Sequence, residues 1–467
     1  MNSITTDEWT EVLHTLPLGK AAGLSKISYE MIKNSSKKCK EILRKFYDLC
    51  LQLNDIPNQW NQAIVYPIPK PGDWELNLAK IRPITLLETP RKILMKIFTN
   101  RLSNKLENNY EILKNHNYAG LPGRSTQEPI HTLNALMENA RETNKELWIL
   151  MQDMSKAYDL VNRESLIKAL RRIKLPETFT TFISNSLKNR RNKIITDFGY
   201  TESFKISNGI DQGEIMSPLL WVIYYDPLFT KIEKMKETSN IGYELGYKEN
   251  KVSVTDLAYM DDSTWIAKKK SELETILNVA DSFNEFNGIK VNKDKSQLIV
   301  INSTESIADT NITYGYNTTK IHPLRNNTST RFLGVWISEK DNKNFVKNQI
   351  KDELDKAYNV MKYKKLIDDQ IKYIYNVVLV PRCEYKMLIT ILSREEIKKL
   401  TTRIRKLLRN KIGISNTAPN IILPHKELYN LIDLYHRQSE SQITNLLKRL
   451  KDKHLMGIIT EIRLRQL

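Results

Sequence analysis

Two adjacent acidic residues at a tight turn constrain this chain more than any other feature of its sequence. Residues 259–262 are Tyr-Met-Asp-Asp, and the flanking segments 252–255 and 263–267 mix β-branched, apolar and polar residues. This pattern is typical of half-buried strands, so it predicts a β-hairpin with Asp261 and Asp262 at its tip. Because adjacent carboxylates repel each other, an ordered pair usually needs a cation, and Mg2+ prefers hard oxygen ligands. The alternative is a solvated turn, in which Asp is common.

A third acid is predicted to join this pair. Residues 147–153 form an apolar run of strand length that ends on Asp153. A strand that delivered Asp153 to the hairpin tip would complete a three-carboxylate cluster, the arrangement that two-metal phosphoryl transfer requires. The alternative for Asp153 is an acid at a strand end that caps the next helix.

Three motifs occur in the order and at the spacing of a reverse transcriptase palm. They are Asp-Met-Ser-Lys-Ala-Tyr-Asp at 153–159, Gly-Ile-Asp-Gln-Gly through Ser-Pro-Leu-Leu at 209–220, and Ala-Tyr-Met-Asp-Asp at 258–262. The chain resembles the reverse transcriptases of non-LTR (LINE-like) retrotransposons. Six further segments match the same group: residues 19–23, 67–72, 82–87, 120–126, 287–296 and 332–337. The resemblance implies an α+β right-hand polymerase with fingers, a palm whose antiparallel sheet is backed by helices, and a helical thumb.

The resemblance also implies a reaction and its partners. The chain would be an RNA-directed DNA polymerase that copies an RNA template into DNA by two-metal-ion nucleotidyl transfer, with Mg2+ as the ion and Mn2+ as an alternative. It would bind an RNA template, a DNA primer, the RNA–DNA duplex and dNTPs, and an endonuclease would come from another domain or chain. Asp153, Asp261 and Asp262 would be the metal ligands. Lys295 would protonate the departing pyrophosphate, although a lone lysine is more often a solvated charge.

Residues that contact the nucleotide follow from the same resemblance. Tyr158 would stack beneath the incoming sugar and exclude a 2′-hydroxyl; its alternative is a core aromatic after a strand. Gln212 and Gly213 would lie against the base pair being formed, because glycine allows close backbone approach. Lys70 and Arg82 would hold the triphosphate, the guanidinium by paired hydrogen bonds.

The sequence departs from the usual pattern of this group at a few positions. Met260 stands where alanine is frequent, and Trp221 replaces a usual phenylalanine. Glu214 follows the Gln-Gly pair where Asp or a small residue is frequent. None of these changes removes a predicted metal ligand or Tyr158.

A net charge of +18 indicates a polyanionic partner. A basic face binds phosphates without sequence preference, and its affinity falls as salt rises. The predicted nucleic-acid contacts are Arg124 in the Gly-Arg-Ser-Thr motif, Arg190 and Arg191 in a basic run, and Arg405 and Arg409, which are four residues apart on a predicted helix. The alternative is a basic, solvated surface.

Cysteine usage and hydropathy predict a compartment. Cys39, Cys50 and Cys383 are too scattered for a zinc site or a disulfide framework, and they are expected to be buried small residues in a reducing interior. No apolar run approaches the roughly 20 residues that span a bilayer, and no signal peptide is recognisable, so no membrane is expected. The prediction is an intracellular protein. Target-primed synthesis, which the resemblance implies, would place it in the nucleus.

The predicted organisation has three parts. Residues 1–338 would form fingers and palm, residues 339–412 a helical thumb, and residues 413–467 a helical C-terminal extension that begins with a linker at 413–419. Residues 84–112 are predicted to be helical.

Three alternative functions follow from the sequence. An RNA-dependent RNA polymerase also carries paired Asp in a hairpin, but Tyr158 and the residues after the Gln-Gly pair disfavour it. A group II intron-type reverse transcriptase shares the palm motifs, whereas the Gly-Arg-Ser-Thr motif favours the retrotransposon type. A catalytically silent, nucleic-acid-binding remnant of such an element would keep the basic cleft and lose polymerisation.

Overall fold

Helices and sheets are mixed along the chain, which is the predicted α+β class. The structure is a computed structural model that describes residues 2–72, 74–107, 112–114, 116–247, 250–306, 309–314, 319–324, 328–340, 343–415 and 417–466.

In the first part of the chain, the described residues include three α-helices and two strands. They are α1 (Thr6–His14), α2 (Tyr29–Lys33), α3 (Lys37–Leu53), β1 (Gln62–Pro69) and β2 (Ile81–Leu86). The first helix begins with a capping box, in which the Thr5 side chain accepts from the Glu8 amide and the Glu8 carboxylate accepts from the Thr5 amide.

The helix predicted for residues 84–112 begins later than expected. Residues 84–86 belong to strand β2 and not to that helix. That helix, α4 (Thr89–Glu107), begins later, and residues 108–111 of the prediction lie outside the described residues.

The middle of the chain supplies the remaining fingers strands and the palm. Its elements are α5 (Gln127–Thr143), β3 (Leu147–Ser155), α6 (Arg163–Arg172), α7 (Glu177–Ser186), β4 (Arg191–Thr196), β5 (Gly199–Tyr200), β6 (Phe204–Lys205), α8 (Ser217–Ser239), β7 (Tyr243–Tyr247), β8 (Asn250–Val254), β9 (Asp256–Tyr259), β10 (Asp262–Ala267), α9 (Lys270–Phe286) and β11 (Lys290–Ile301). The fingers sheet has the order β2-β1-β4-β5, and β6 also pairs with β4.

The palm sheet is antiparallel, with the order β11-β3-β10-β9. Successive side chains of a strand point to opposite faces. Accordingly, Leu147 and Ile149 of β3 join one apolar core, and Trp148 and Leu150 join another. Both faces of the sheet are covered, which explains why this strand is a continuous apolar run.

One predicted arm of the catalytic hairpin was wrong. Residues 252–254 lie in β8, which pairs with β7. The strand that pairs with β10 is β9, which follows after a single residue, Thr255. The other predicted arm, residues 263–267, lies in β10 as expected.

The last part of the chain is mostly helical. Its elements are β12 (Ile312–Tyr314), β13 (Thr319–Ile321), β14 (Thr330–Phe332), β15 (Val335–Ile337), α10 (Lys343–Tyr363), α11 (Asp368–Tyr373), a π-helical segment (Ile374–Leu379), α12 (Val380–Lys386), α13 (Arg394–Ile412), α14 (Leu434–Lys451) and α15 (Leu455–Gln466). We call α10 to α13 the thumb helices. They share an apolar core that is separate from the palm cores.

The C-terminal residues divide between these two parts. Helix α14 contacts α12 and α13, whereas α15 packs on α5, β7 and β8 of the palm, where Ile459 and Ile462 are buried. Asn416, in the predicted linker, lies outside the described residues. The domain boundaries at 338 and 412 stay a prediction.

The three cysteines are free thiols. Cys50 and Cys383 are buried as predicted, but Cys39 is exposed, because it lies on the solvent face of α3. Within the described ranges, no helix has the length and apolar character needed to cross a membrane.

Candidate active site

The two acids lie at a tight hairpin turn, as predicted. Tyr259 pairs with Asp262 in register, so Met260 and Asp261 form a two-residue turn between β9 and β10. The backbone of Met260 has φ 56°, in the left-handed region that residues other than glycine rarely adopt. A strained residue at such a place must be held by its surroundings.

The palm sheet brings Asp153 to this turn. Gln152 of β3 pairs with Ser263 of β10, and Asp153 and Asp262 each lie one residue beyond that pair on adjacent strands. Asp153 and Asp262 line one cavity of about 330 Å3, and Lys295 lines the same cavity. The structure therefore brings together predicted residues from three strands.

The acids influence one another electrostatically. Burial, and to a lesser extent the charge of Asp153, raises the pKa of Asp261. Asp262 remains partly open to solvent, yet desolvation by the surrounding protein, together with Asp261 and Asp153, raises its pKa to about 6. Such repulsion favours a bound cation.

The residues fit a divalent ion by their donor chemistry. Across the described part of the chain, no three His, Cys, Asp or Glu side chains are arranged so that they could hold a metal ion. The three carboxylates thus do not form the metal-holding cluster that the sequence predicted. Mg2+ does not require one, because it keeps several waters and takes one or two carboxylates together with substrate phosphates.

Asn117 holds the strained turn and was missed by sequence reasoning. Its side-chain amide donates to the carbonyl of Met260 (2.9 Å) and its oxygen accepts from the amide of Met260 (3.0 Å). Trp221 donates from Nε1 to the same carbonyl (2.8 Å). The segment that follows Asn117 runs along β9, where the amide of Tyr118 donates to the carbonyl of Ala258 (2.9 Å). An isolated Asn before a glycine-rich motif gives no sequence signal for this role.

Tyr158 lies beneath the turn. It belongs to a 3-10 segment (Ala157–Leu160) that directly follows β3, and its hydroxyl donates to the sulfur of Met260 (3.4 Å). Its ring centroid is 6.0 Å from that of Trp221. Burial and, secondarily, Asp261 raise the pKa of Tyr158. Met260 and Trp221, two of the three departures from the usual pattern, thus contact each other beside the predicted sugar gate.

The Gln-Gly loop packs against the fingers. The amide of Thr85 in β2 donates to the carbonyl of Gln212 (2.7 Å). Gly213 has φ 134°, and a Cβ atom at this position would collide with the carbonyl oxygen of Thr85. The close approach that requires glycine is thus to strand β2. The predicted contact of Gln212 and Gly213 with a base pair stays a prediction.

We expect Gly213→Ala to destabilise the fold more than Gly199→Ala. Both glycines have positive φ, but Gly199 has no atom within 4 Å of an added Cβ, so its variant reports backbone strain alone. The added collision at Gly213 should lower the free energy of unfolding by about 1–3 kcal/mol beyond that strain. Urea denaturation of both variants measures the difference. Equal losses would contradict the contact with Thr85.

Buried ion pairs fix the loop from the other side. Arg91 contacts Glu214 (Nε to Oε2, 2.8 Å), and Arg190 contacts Asp211 (3.0 Å). Burial, with a contribution from Asp211, raises the pKa of Glu214 despite the opposing effect of Arg91. The acids of the two ion pairs, Asp211 and Glu214, lie directly before and after Gln212 and Gly213 in the sequence.

The prediction that Arg190 binds nucleic acid is wrong. Its surface is 3% exposed, and it donates to the carbonyl of Gly209 (2.6 Å) besides its ion pair. Arg124 is also used within the protein: its side chain is 11% exposed, pairs with Glu128 (2.6 Å) and lies over the ring of Tyr118. The structure therefore gives Arg124 a role in its own loop and does not present it to a partner.

Of the other predicted basic contacts, three are exposed and two are partly buried. Lys70 and Arg82 are exposed on the fingers, and Arg191 is exposed beside Ser203. Arg405 and Arg409 lie on α13, where Arg405 donates to Thr401 (2.6 Å) and Arg409 to Asn420 (2.7 Å). None of these five residues lines the cavity of Asp153.

Comparisons with known proteins agree with the motifs. The family described as "Reverse transcriptase (RNA-dependent DNA polymerase)" matches residues 68–337. The "Probable RNA-directed DNA polymerase from transposon BS" of Drosophila melanogaster is 27% identical over 221 residues, which are 47% of this chain and 24% of that protein. The "Retrovirus-related Pol polyprotein from type-1 retrotransposable element R2" of Popillia japonica is 29% identical over 259 residues, which are 55% of this chain and 35% of that protein.

The chain thus spans about a quarter to a third of the length of these relatives. Their names confirm the predicted likeness to non-LTR retrotransposon polymerases. Among solved structures, apo telomerase from Candida tropicalis is 14% identical with a TM-score of 0.44, covering 91% of this chain and 74% of that one. Since the family match extends over residues 68–337, more than half of the sequence, this chain belongs to the reverse transcriptase (RNA-dependent DNA polymerase) family.

Proposed function

We propose that this chain is an RNA-directed DNA polymerase of a retrotransposon, which extends a DNA primer on an RNA template. The observation that carries the proposal is the convergence of Asp153 and Asp262, from adjacent strands, on one cavity with Lys295, next to the Asp261 turn. The family match and the names of the relatives support the same reaction. In that reaction the primer 3′-oxygen bonds to the α-phosphorus of a dNTP, and the bond to pyrophosphate breaks.

The acids would hold the metal ions. Divalent ions bound there would supply charge neutralisation for the attacking oxygen and the leaving phosphates. Asp153, Asp261 and Asp262 fit this role because burial and mutual repulsion raise the pKa values of Asp261 and Asp262, so that a cation stabilises their charged forms. Mg2+ is the proposed ion, with Mn2+ as an alternative.

The other side chains would bind and orient the substrates. Lys295 is exposed in the cavity and would donate a proton to the departing pyrophosphate. Tyr158, held by its contact with Met260, would support the sugar and exclude a 2′-hydroxyl. Lys70, exposed directly after β1, and Arg82, exposed on β2, would hold the triphosphate. Endonuclease activity would come from another domain or chain.

A primer-extension assay tests the proposal. The purified chain is mixed with a DNA primer annealed to an RNA template and dNTPs, with Mg2+ or Mn2+ in parallel. We expect extension with a divalent ion and none in EDTA. If the chain binds the primed template but extends it with neither ion, it is the silent remnant, and the polymerase proposal fails.

Tyr158→Ala should relax sugar discrimination. Removing the ring opens space for a 2′-hydroxyl, so we expect the preference for dNTP over rNTP to fall about 10-fold to 100-fold. The ratio of kcat/KM values for dCTP and CTP on one primed RNA measures it. Tyr158→Phe is the matched control, because it keeps the ring and removes only the hydroxyl contact with Met260. Loss of discrimination in both variants would contradict a steric gate.

Asn117→Ala should lower nucleotide incorporation while the chain stays folded. The change removes both hydrogen bonds of Asn117 to Met260, which stabilise the turn by about 1–3 kcal/mol, so the acids lose their fixed position. Single-nucleotide incorporation and thermal denaturation measure the two effects. Met260→Gly in the same background should restore part of the activity, because glycine adopts positive φ without penalty. Absence of any recovery would argue against the strained turn as the cause.

A further inference from the structure

A second cavity lies away from the proposed active site, at the junction of three helices. It has a volume of about 170 Å3 and is lined by α5 of the palm together with α14 and α15. A cavity needs a volume of only about 10–15 Å3 to hold one water molecule, so this cavity is much larger than a single water requires.

Three buried polar atoms in the lining have no hydrogen-bond partner among the residues that the structure describes. They are Nε2 of His131, Oγ1 of Thr132 and Nε of Arg449. His131 is 6% exposed and Thr132 is fully buried. Buried polar groups are normally paired, and an unpaired one destabilises the fold. A polar ligand in this cavity would give all three of these atoms a hydrogen-bond partner.

The hydroxyl of Thr132 lacks the hydrogen bond that a threonine in a helix usually makes. A threonine within a helix commonly donates to the carbonyl four residues earlier. In the same helix, Thr143 does so, with its hydroxyl 2.6 Å from the carbonyl of Asn139. The hydroxyl of Thr132 makes no such bond, so it stays available to a ligand.

The side chains of Arg449, Arg463 and Glu138 all line the cavity, so its lining holds two guanidinium groups and one carboxylate and is positive on balance. Arg449 makes no ion pair or side-chain hydrogen bond among the described residues, and its electrostatic counterpart is Glu138, whose carboxylate accepts from Asn134 (2.9 Å). Arg463 also lines the cavity but is paired with Glu142 (2.8 Å). A guanidinium stays protonated at any ordinary pH.

His131 contributes a neutral imidazole, which donates to a ligand in the tautomer that carries the proton on Nε2. Burial, with a smaller effect from Arg449, lowers the pKa of His131 to about 4, so the imidazole is uncharged at neutral pH. A neutral imidazole carries one N–H, and the hydroxyl and guanidinium add further donors. The unpaired groups are therefore mainly donors around one cation, which suits an anion with several acceptor oxygens.

We propose that this cavity binds an oxyanion of phosphate size, held by Arg449, Thr132 and His131. The group recognised is a phosphate, which is either free or part of a nucleic-acid backbone. The proposal is independent of the polymerase function, since none of these three residues lines the cavity of Asp153.

Calorimetric titration of the full chain with inorganic phosphate, at constant ionic strength, tests the proposal. We expect one saturable site, and we expect Arg449→Met to weaken it about tenfold or more, because a charge-assisted contact is lost. Arg437→Met is the matched control: it lies on the same helix, pairs with Glu384 (2.9 Å) outside the cavity, and should leave binding unchanged. Thr132→Val, which keeps the shape of the side chain, should weaken binding by a smaller factor.

A second arm identifies the source of the phosphate. Binding of a single-stranded RNA oligonucleotide is measured with the same variants, with phosphate as competitor. If Arg449→Met weakens RNA and phosphate together, the ligand is a backbone phosphate; if it weakens phosphate alone, the ligand is a free oxyanion. Absence of saturable phosphate binding, or equal binding by the wild type and Arg449→Met, would overturn the proposal. Because primer extension is not the readout, this result is separate from the fate of the polymerase proposal.

Thermal denaturation shows whether each variant is folded and whether phosphate stabilises it. Phosphate should raise the Tm of the wild type and of Arg437→Met, because a ligand that binds only the folded state stabilises it. It should raise the Tm of Arg449→Met by a smaller amount, because the weakened site binds less phosphate. An equal rise in all three proteins would place phosphate elsewhere on the basic surface and overturn the assignment.

Discussion

Asp261→Asn should lower DNA synthesis about 1000-fold, because metal-assisted charge stabilisation contributes several kcal/mol and each 1.4 kcal/mol or so is a factor of ten in rate. The amide keeps the volume of the side chain and removes its charge. Primer extension in Mg2+ measures the effect. In EDTA the variant should unfold at the same temperature as the wild type or higher, because repulsion from Asp153 and burial of a charge are both relieved.

Asp7→Asn is the control for this experiment. Asp7 is an exposed acid in the first turn of α1, so the same chemical change there should leave synthesis unaltered. Synthesis retained by Asp261→Asn would remove this residue from the proposed metal site. A loss of activity accompanied by a large drop in Tm would instead indicate a structural role.

Arg91→Met is expected to cost about 3–5 kcal/mol of folding free energy, because removing one partner leaves a buried charge uncompensated. Arg91 is 1% exposed and contacts Glu214 (2.8 Å) and, more distantly, Asp211 (3.9 Å). It also donates to the carbonyl of Trp60 (3.1 Å). Urea denaturation monitored by tryptophan fluorescence measures the loss.

The loss should depend on pH with a defined sign. The folded-state pKa of Glu214 is already raised by burial, and the variant removes the cation that opposes this shift. A carboxyl group with a raised pKa favours folding at low pH, and that contribution is lost as pH rises through its folded pKa. The stability deficit of Arg91→Met should therefore shrink on acidification, and Glu214→Gln in the same background should recover part of it at neutral pH.

The matched control lies on the same helix. Arg101 pairs with Glu8 (2.6 Å), but both side chains are partly exposed, so Arg101→Met should cost about 1 kcal/mol or less. Equal losses in the two variants would contradict the importance of burial at Arg91.

Elements with local patterns could be predicted from the sequence. The apolar run at 147–153 predicted β3, and the Tyr-Met-Asp-Asp segment predicted the hairpin turn, because side-chain alternation and turn residues are local properties. The relation between Asp153 and Asp261 came from the family motifs, since no local pattern brings distant segments together.

Features that depend on tertiary partners could not be predicted. Residues 252–254 suit a strand in either hairpin, and only the pairing of β7 with β8 decides between them. Arg190 belongs to a basic run, and its burial depends on Asp211, twenty-one residues later in the chain. Asn117 carries no pattern at all, because its role depends on the strained turn at Met260.

The packing of α15 on the palm has a mechanical consequence for the thumb helices. They leave the palm after β15 and return to it through α14 and α15, so they are anchored to it at both ends of the segment. A rigid group fixed at two points can rotate only about the line that joins them. Any movement of the thumb helices relative to the palm would then be a rotation about one axis, and the second anchor would prevent sideways translation.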